Sequence, residues 1–311
     1  CYQNFTMRNC ENKANGDITV SGDIILARKN DQPCYGVVGA LAYMTTNSYP
    51  YNITNRGDVN VYTNVSVIEG ITDATHCRLD IAGAGGYITR NFQEQVSNYG
   101  NITIGNTTSD ISIAGNGVHI AGLVTAASGS LGVTNLTKNI NKGNITINRA
   151  KLNGRAIKSD NSFAVSIGGL GAYYTGSSFA DSENEGDITL SQYIAAGDVY
   201  LYLGGNIAHT TNEKLVVKGC KNIGTITVSD KITKAFYFYA GGLVGTATKA
   251  ITFDNCHNAM KAGVENGLVI KGTWADATGS NSVRIGGILG IQSGGVITMK
   301  NGVTNSANMH L

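Results

Sequence analysis

The chain repeats two short patterns of apolar and polar positions. In the first, the two kinds trade places every second residue, as in Ile-Thr-Val at Ile18–Val20 and Ile-Thr-Ile at Ile102–Ile104. Such alternation reads as a short strand with one face buried. In the second, an alternating stretch closes on a small-residue pair followed by apolar residues. It reads IAGLV from Ile120, IGGLG from Ile167, LGGNI from Leu203, AGGLVG from Ala240 and IGGILG from Ile285. Another strand pattern precedes each restart, as in FTMRNC from Phe5, LVVKGC from Leu215 and ITFDNC from Ile251. Each unit therefore predicts at least three short strands parted by Gly and Asn turns.

The units are copies of one another. The signature Asn-x-Gly-(Asp/Asn)-Ile-Thr-(Val/Ile) recurs at Asn15–Val20, Asn55–Val61, Asn98–Ile104, Asn141–Ile147, Asn184–Leu190 and Asn222–Val228, with a looser copy from Glu265. Its glycines, Gly16, Gly57, Gly100, Gly143, Gly186 and Gly224, stand 41, 43, 43, 43 and 38 residues apart. One unit has too little apolar surface to fold alone, so neighbours must cover it. The expected fold is all-β: a single array over residues 1–311, about seven repeats of roughly 41 residues stacked as a parallel β-helix-like solenoid. A seven-bladed β-propeller is the alternative, since its blades are of similar length. Sequence leaves open whether a repeat is one wide coil or two narrow ones. Stacking predicts columns of like residues, with Thr19, Asn60, Thr103, Thr146, Thr189 and Thr227 forming an outward one. Partial repeats at both ends lead us to expect a stretch of a longer array. Cys1 is open to two readings, a lipid-bearing first residue or simply where the sequence begins.

Composition agrees with strands. Only 14 % of residues are charged, Gly numbers 41, and Pro occurs twice. The net charge of +2 is scattered, with no basic run to suggest nucleic acid. No stretch has the length and apolarity of a transmembrane helix.

GGLVG at Gly241–Gly245 and GGILG at Gly286–Gly290 resemble the GLUG motif, and AGLVT from Ala121 and GGLGA from Gly168 look like degenerate copies. The context Cys-x-Asn-x-Gly-x-Ile-Thr from Cys220 to Thr227 is similar to that family too. The first two repeats depart from it, with GVVGAL from Gly36 and AGAGGY from Ala82. The resemblance implies a large secreted or surface-anchored bacterial protein of Bacteroidota type. It implies no catalytic chemistry and transfers no functional residues.

Candidate chemistry is sparse. Asp17, Asp58 and Asp187 share one repeat position with Asn101 and Asn144, which reads as a turn column and not as paired catalytic carboxylates. His76, His119, His209, His257 and His310 show no metal spacing and read as isolated surface or turn residues. No metal and no cofactor is expected. Cys220 and Cys256 match in adjacent repeats, and Cys34 and Cys77 nearly do. One coil per repeat would place such pairs at a bridgeable ~5 Å, but free thiols in a ladder are the expectation. Seven Asn-x-Ser/Thr sequons, Asn101 and Asn144 among them, are attributed to the repeat itself.

The aromatic pattern stands out. VYLYLGG from Val199 and FYFYAGG from Phe236 place Val199, Leu201, Phe236 and Phe238 inward, and Tyr200, Tyr202, Tyr237 and Tyr239 outward. Those four tyrosines are the candidate binding surface. The functional expectation is a non-catalytic, extracellular or cell-surface solenoid: an adhesin, stalk or scaffold for a glycan or protein ligand, within a possible larger surface assembly. A carbohydrate-active β-helix enzyme is the alternative. It would need a local cluster of acidic and basic residues, which the sequence does not display.

Overall fold

The computed structural model describes residues 6–26, 34–44, 49–67, 77–89, 92–115, 117–128, 135–154, 164–191, 194–228, 232–265, 267–271 and 282–310. Each repeat makes one coil of a parallel β-solenoid. Taking one coil as example, the chain passes through Phe92–Asn98, Ile102–Ile104, Ile111–Gly115 with Gly117–Ala121, and Val124–Ser128. Stacking of these segments gives four sheets, called first to fourth here, of 13, 8, 11 and 7 strands. Val59, Ile102, Ile145, Ile188 and Ile226 share one column of the second sheet, so a full repeat separates neighbouring rungs. That settles one wide coil per repeat. The coils pair in parallel throughout the described sheets, which excludes the propeller, whose blades are antiparallel. Asn60, Thr103, Thr146, Thr189 and Thr227 form the expected column and are half-buried.

The two sequence signatures meet inside the coil. Asparagines of the first signature lie at the corner between first and second sheets, and their side chains turn inward. There they face the glycine that closes each small-residue pair, Ala-Gly or Gly-Gly, at the corner between third and fourth sheets. A Cβ added to Gly122 would stand 2.3 Å from Asn141 Cγ, and one on Gly205 2.4 Å from Asn222 Cγ. A bare Cα is the only backbone that fits against the amide. The contact pinches the interior into two cores. One lies between the second and third sheets and holds Val59, Ile102, Ile120, Ile167, Leu201 and Phe238. The other lies between the first and fourth sheets and holds Val96, Leu123, Tyr174, Phe179, Val217 and Phe253.

The pinched asparagines form a continuous ladder. Nδ2 of Asn12 donates to Oδ1 of Asn55, and the same bond runs on through Asn98, Asn141, Asn184, Asn222 and Asn258 to Asn305, at 2.7–2.9 Å. The other Nδ2 proton goes to a backbone carbonyl two residues on in the inner coils, for example Gly143 or Gly186. A buried amide is tolerable at Asn55, Asn98, Asn141, Asn184 and Asn222 because both protons and the oxygen are partnered. In the first repeat the ladder residue is Asn12, not the expected Asn15, and in the loose copy it is Asn258. Residues inserted between Asn and Gly hide both from a fixed-spacing motif.

A second repeated device is backbone conformation. Asn9, Asn52, Gln95, Lys138, Asp181, Gly219, Asn255 and Asn301 all have φ between +46° and +59°. They occupy one position in successive coils, just before the column that contains Cys220 and Cys256. This explains the Asn or Gly that precedes Cys in FTMRNC, LVVKGC and ITFDNC, since these residues tolerate the left-handed region best.

Candidate functional site

The Gly-Gly corner turns the chain back along the outside of the coil. Leu203 points into the core, so a Cβ on the next residue, Gly204, would point outward, and there it would lie 1.9 Å from the Ile207 carbonyl oxygen. The outer faces of the third and fourth sheets therefore face each other across a crevice that runs along the stack. One wall carries the column Asp80, His119, Ser166, Tyr202, Tyr239 and Arg284. The other carries Tyr173, His209, Thr246 and Ile291.

The four candidate tyrosines do lie opposite the main core, as alternation predicts, but they are not an open face. Tyr202 is 2 % exposed and Tyr239 8 %, and both pack with Ala208 in a third apolar cluster. Their rings stack on one another at 5.7 Å. Tyr200 and Tyr237 stand nearer the mouth, half-buried and stacked at 4.5 Å. Burial, reinforced by Tyr237, raises the Tyr200 hydroxyl above its ordinary pKa, and burial does the same to Tyr202. The expectation of four exposed rings fails because alternation defines only the side of a sheet, and here that side is covered by the next sheet. Side chains of Val199 and Phe236 lie outside the described residues.

Deeper in the crevice two histidines that read as isolated are brought together with an acid. Asp80 is fully buried; its Oδ2 accepts from Arg78 Nε at 2.8 Å and its Oδ1 from His119 Nδ1 at 3.1 Å. Burial pushes the Asp80 carboxyl up, but the Arg78 guanidinium and the His119 hydrogen bond outweigh it and hold it below the usual value. The same bond keeps the imidazole proton on Nδ1. Burial holds His119 below its ordinary pKa despite that acid. The His119 ring stacks on Tyr173 at 5.5 Å, Tyr173 meets His209 edge-on at 5.0 Å, and His209 meets Tyr202 at 4.8 Å. His209 has no acid beside it, and burial lowers it to about 3. Sequence reasoning missed this cluster because its members come from four different coils. The available signal was the residue two places before each glycine pair, which is Asp80, His119, Ser166, Tyr202, Tyr239 and Arg284 in turn.

The acidic column behaves as a turn device. Oδ1 of Asp17, Asp58 and Asp187 accepts the backbone N–H of Asp58, Asn101 and Thr225, one coil further on. Asn101 and Asn144 do the same for Asn144 and Asp187. Cys220 and Cys256 are buried free thiols that donate to backbone carbonyls; Cys1, His76 and the side chains of Cys34 and Cys77 lie outside the described residues. Among the described residues no group of three His, Cys, Asp or Glu is arranged to hold a metal ion, and no helix is long and apolar enough to cross a membrane.

One coil per repeat, an internal amide ladder and a crevice between two outer faces define a repeat protein of the parallel β-solenoid class. No protein-family model matches the chain, and neither curated proteins nor solved structures give a match.

Proposed function

We propose that this chain is a non-catalytic solenoid of an extracellular or bacterial cell-surface protein, acting as a stalk or adhesive scaffold that holds a glycan or protein ligand. The observation that carries the reading is the Tyr200–Tyr237 stack at the crevice mouth. Each of these rings also leans on a buried tyrosine two residues on, Tyr202 or Tyr239, at 6.0 Å. A ring pair held this way presents edges and hydroxyls at little entropic cost on binding. The likeness of the glycine motifs to GLUG-repeat proteins agrees with a surface location. An acid–base site for glycoside cleavage needs two carboxyl groups flanking the bond; in the crevice Asp80 spends both oxygens on Arg78 and His119.

A glycan and protein-ligand array identifies the ligand. Replacing Tyr200 and Tyr237 by Ser then weakens binding by about 1–2 kcal/mol while leaving the thermal melt nearly unchanged. Undiminished binding would remove the tyrosine site. Polysaccharide turnover that is lost in Asp80→Asn would remove the non-catalytic reading.

A further inference from the structure

Four polar atoms in the crevice are left without partners by the fold. His119 Nε2, Thr125 Oγ1, Ser166 Oγ and His209 Nε2 are buried, and none meets a hydrogen-bond partner among the described residues. They come from three successive inner coils. His119 and Ser166 are register neighbours on one wall, and His209 stands on the other. Thr125 occupies the position that Ala208 fills two coils on, where Ala208 packs against Tyr202 and Tyr239. The amides of the inner asparagine ladder are as deeply buried, yet they are bonded. A row of unpartnered groups carries a cost that a bound polar molecule removes.

The row lies beneath the mouth of the crevice. Register carries the mouth column from Arg78 through Gly117 to Tyr200 and Tyr237. Gly117 has no side chain to cover the floor, and the His119 ring leans towards it: a Cβ there would stand 3.3 Å from His119 Nε2. With its proton on Nδ1 towards Asp80, His119 offers an acceptor at Nε2, while the Thr125 and Ser166 hydroxyls can donate or accept. On the opposite rim the hydroxyls of Tyr173 and Thr211 meet at 3.1 Å. Charge is balanced: Asp80 is met by Arg78, and burial keeps both histidines neutral at neutral pH.

We propose that the crevice binds a neutral, extended polysaccharide laid along the stack, one sugar residue to a coil. The inference rests on the tyrosine site proposed above and names the class of its ligand. Coils rise by ~4.8 Å, close to the advance per residue of a β-1,4-linked chain. From Gly117 to Tyr237 the mouth covers four coils, ~14 Å. Each sugar meets the rim of its own coil, which at two of them is the edge of Tyr200 or Tyr237. Sugar hydroxyls both donate and accept, so directly or through a held water they partner the polar floor.

Isothermal titration calorimetry with β-1,4-linked oligomers of glucose, mannose and N-acetylglucosamine, one to six residues long, tests this. At least one series binds, its affinity rising with length to four residues and levelling there, and sodium chloride leaves it unchanged. Tyr237→Ser and Gly117→Leu each act at one end of the row, so each cuts tetramer affinity about tenfold, to that of the trimer. Failure of all three series, or affinity that does not grow with length, overturns the proposal. So does binding confined to polygalacturonate and lost in salt, which would define an anion site. Circular dichroism melts establish that the variants fold; should Gly117→Leu not fold, Tyr237→Ser carries the same comparison. A protein ligand held through Tyr200 and Tyr237, with no oligomer bound, removes the polysaccharide and leaves the tyrosine site standing. Oligomers that bind Tyr237→Ser as tightly as the parent place the site elsewhere and refute the inference.

Discussion

The side-chain amide of Asn184 sits against Gly169 so closely that a Cβ on the glycine would stand 2.3 Å from its Cγ. The two residues come from different sequence signatures, yet their contact divides the interior of the coil. Asn184 also gives its protons to Gly186 O and Asn222 Oδ1 and accepts from Asn141. Asn184→Ala removes three bonds and strands buried partners, at a cost of about 3 kcal/mol. Gly169→Ala costs at least about 2 kcal/mol through overpacking. Because the alanine at 184 clears part of the clash, the two changes together cost less than their sum. Urea unfolding of both single variants and the double variant measures that coupling; strict additivity would show that the pinch is not a contact of consequence.

Much of this architecture was readable beforehand, for a definite reason. Period-two alternation in Ile102–Ile104 and Ile145–Ile147 together with constant glycine spacing leaves few arrangements other than a stack of coils in register. Alternation assigns each side chain to one face of its own strand and nothing more. It placed Leu201 and Phe238 in the core correctly. It could not say that Tyr202 and Tyr239 would be covered, because that depends on the sense in which Gly204 and Gly205 turn the chain. Asn98 and Asn141 read as turn residues in the sequence for a similar reason. An Asn before Gly suits an exposed turn, and only the stack reveals that each amide has an identical amide above and below it.

Asn206 breaks an otherwise apolar column that includes Leu123, Leu170, Leu243 and Ile288. It is buried, and neither its Oδ1 nor its Nδ2 has a hydrogen-bond partner among the described residues. Asn206→Leu should raise stability by about 1–2 kcal/mol, since two unsatisfied groups are exchanged for apolar contact. A shift of the urea midpoint to lower concentration would show that the amide is satisfied by something else, such as an ordered water.

The left-handed column predicts opposite effects at two of its members. Gly219 has φ +59°, and a Cβ there would lie 2.4 Å from Asp181 Oδ1, so Gly219→Ala costs about 1–2 kcal/mol. Lys138 bears the same conformation with a full side chain and an exposed ion pair to Glu94 at 3.0 Å. Exposed pairs contribute little, so Lys138→Gly stabilises by about 0.5–1 kcal/mol. Thermal melts of the two variants should move in opposite directions.

The crevice histidines make stability depend on pH. Burial depresses His209 to about 3, whereas an unfolded histidine titrates near ~6.5. Between those values the unfolded chain binds the extra proton, so the contribution is complete above about pH 6.5 and shrinks as pH falls. His119 is depressed in the same direction. The loss is at most about 1.4 kcal/mol per pH unit for each histidine. Asp80, held below its ordinary value, adds a loss only below about pH 4. Urea unfolding from pH 8 to pH 4 should be flat and then decline, and His209→Phe should make the decline shallower. A profile unchanged by that substitution would place the titration elsewhere.

The asparagine ladder also has an electrical consequence. Eight side-chain amides, from Asn12 to Asn305, point the same way along the axis, so their dipoles add as peptide dipoles do in a helix. The partial positive end lies at the last coil and the negative end at the first, with strands running around the axis and not along it. No single amide can reverse without setting NH₂ against NH₂ on one side and oxygen against oxygen on the other. The stack is thereby a polarised wire with one permitted sense, fixed in the inner coils by carbonyls such as those of Gly143 and Gly186.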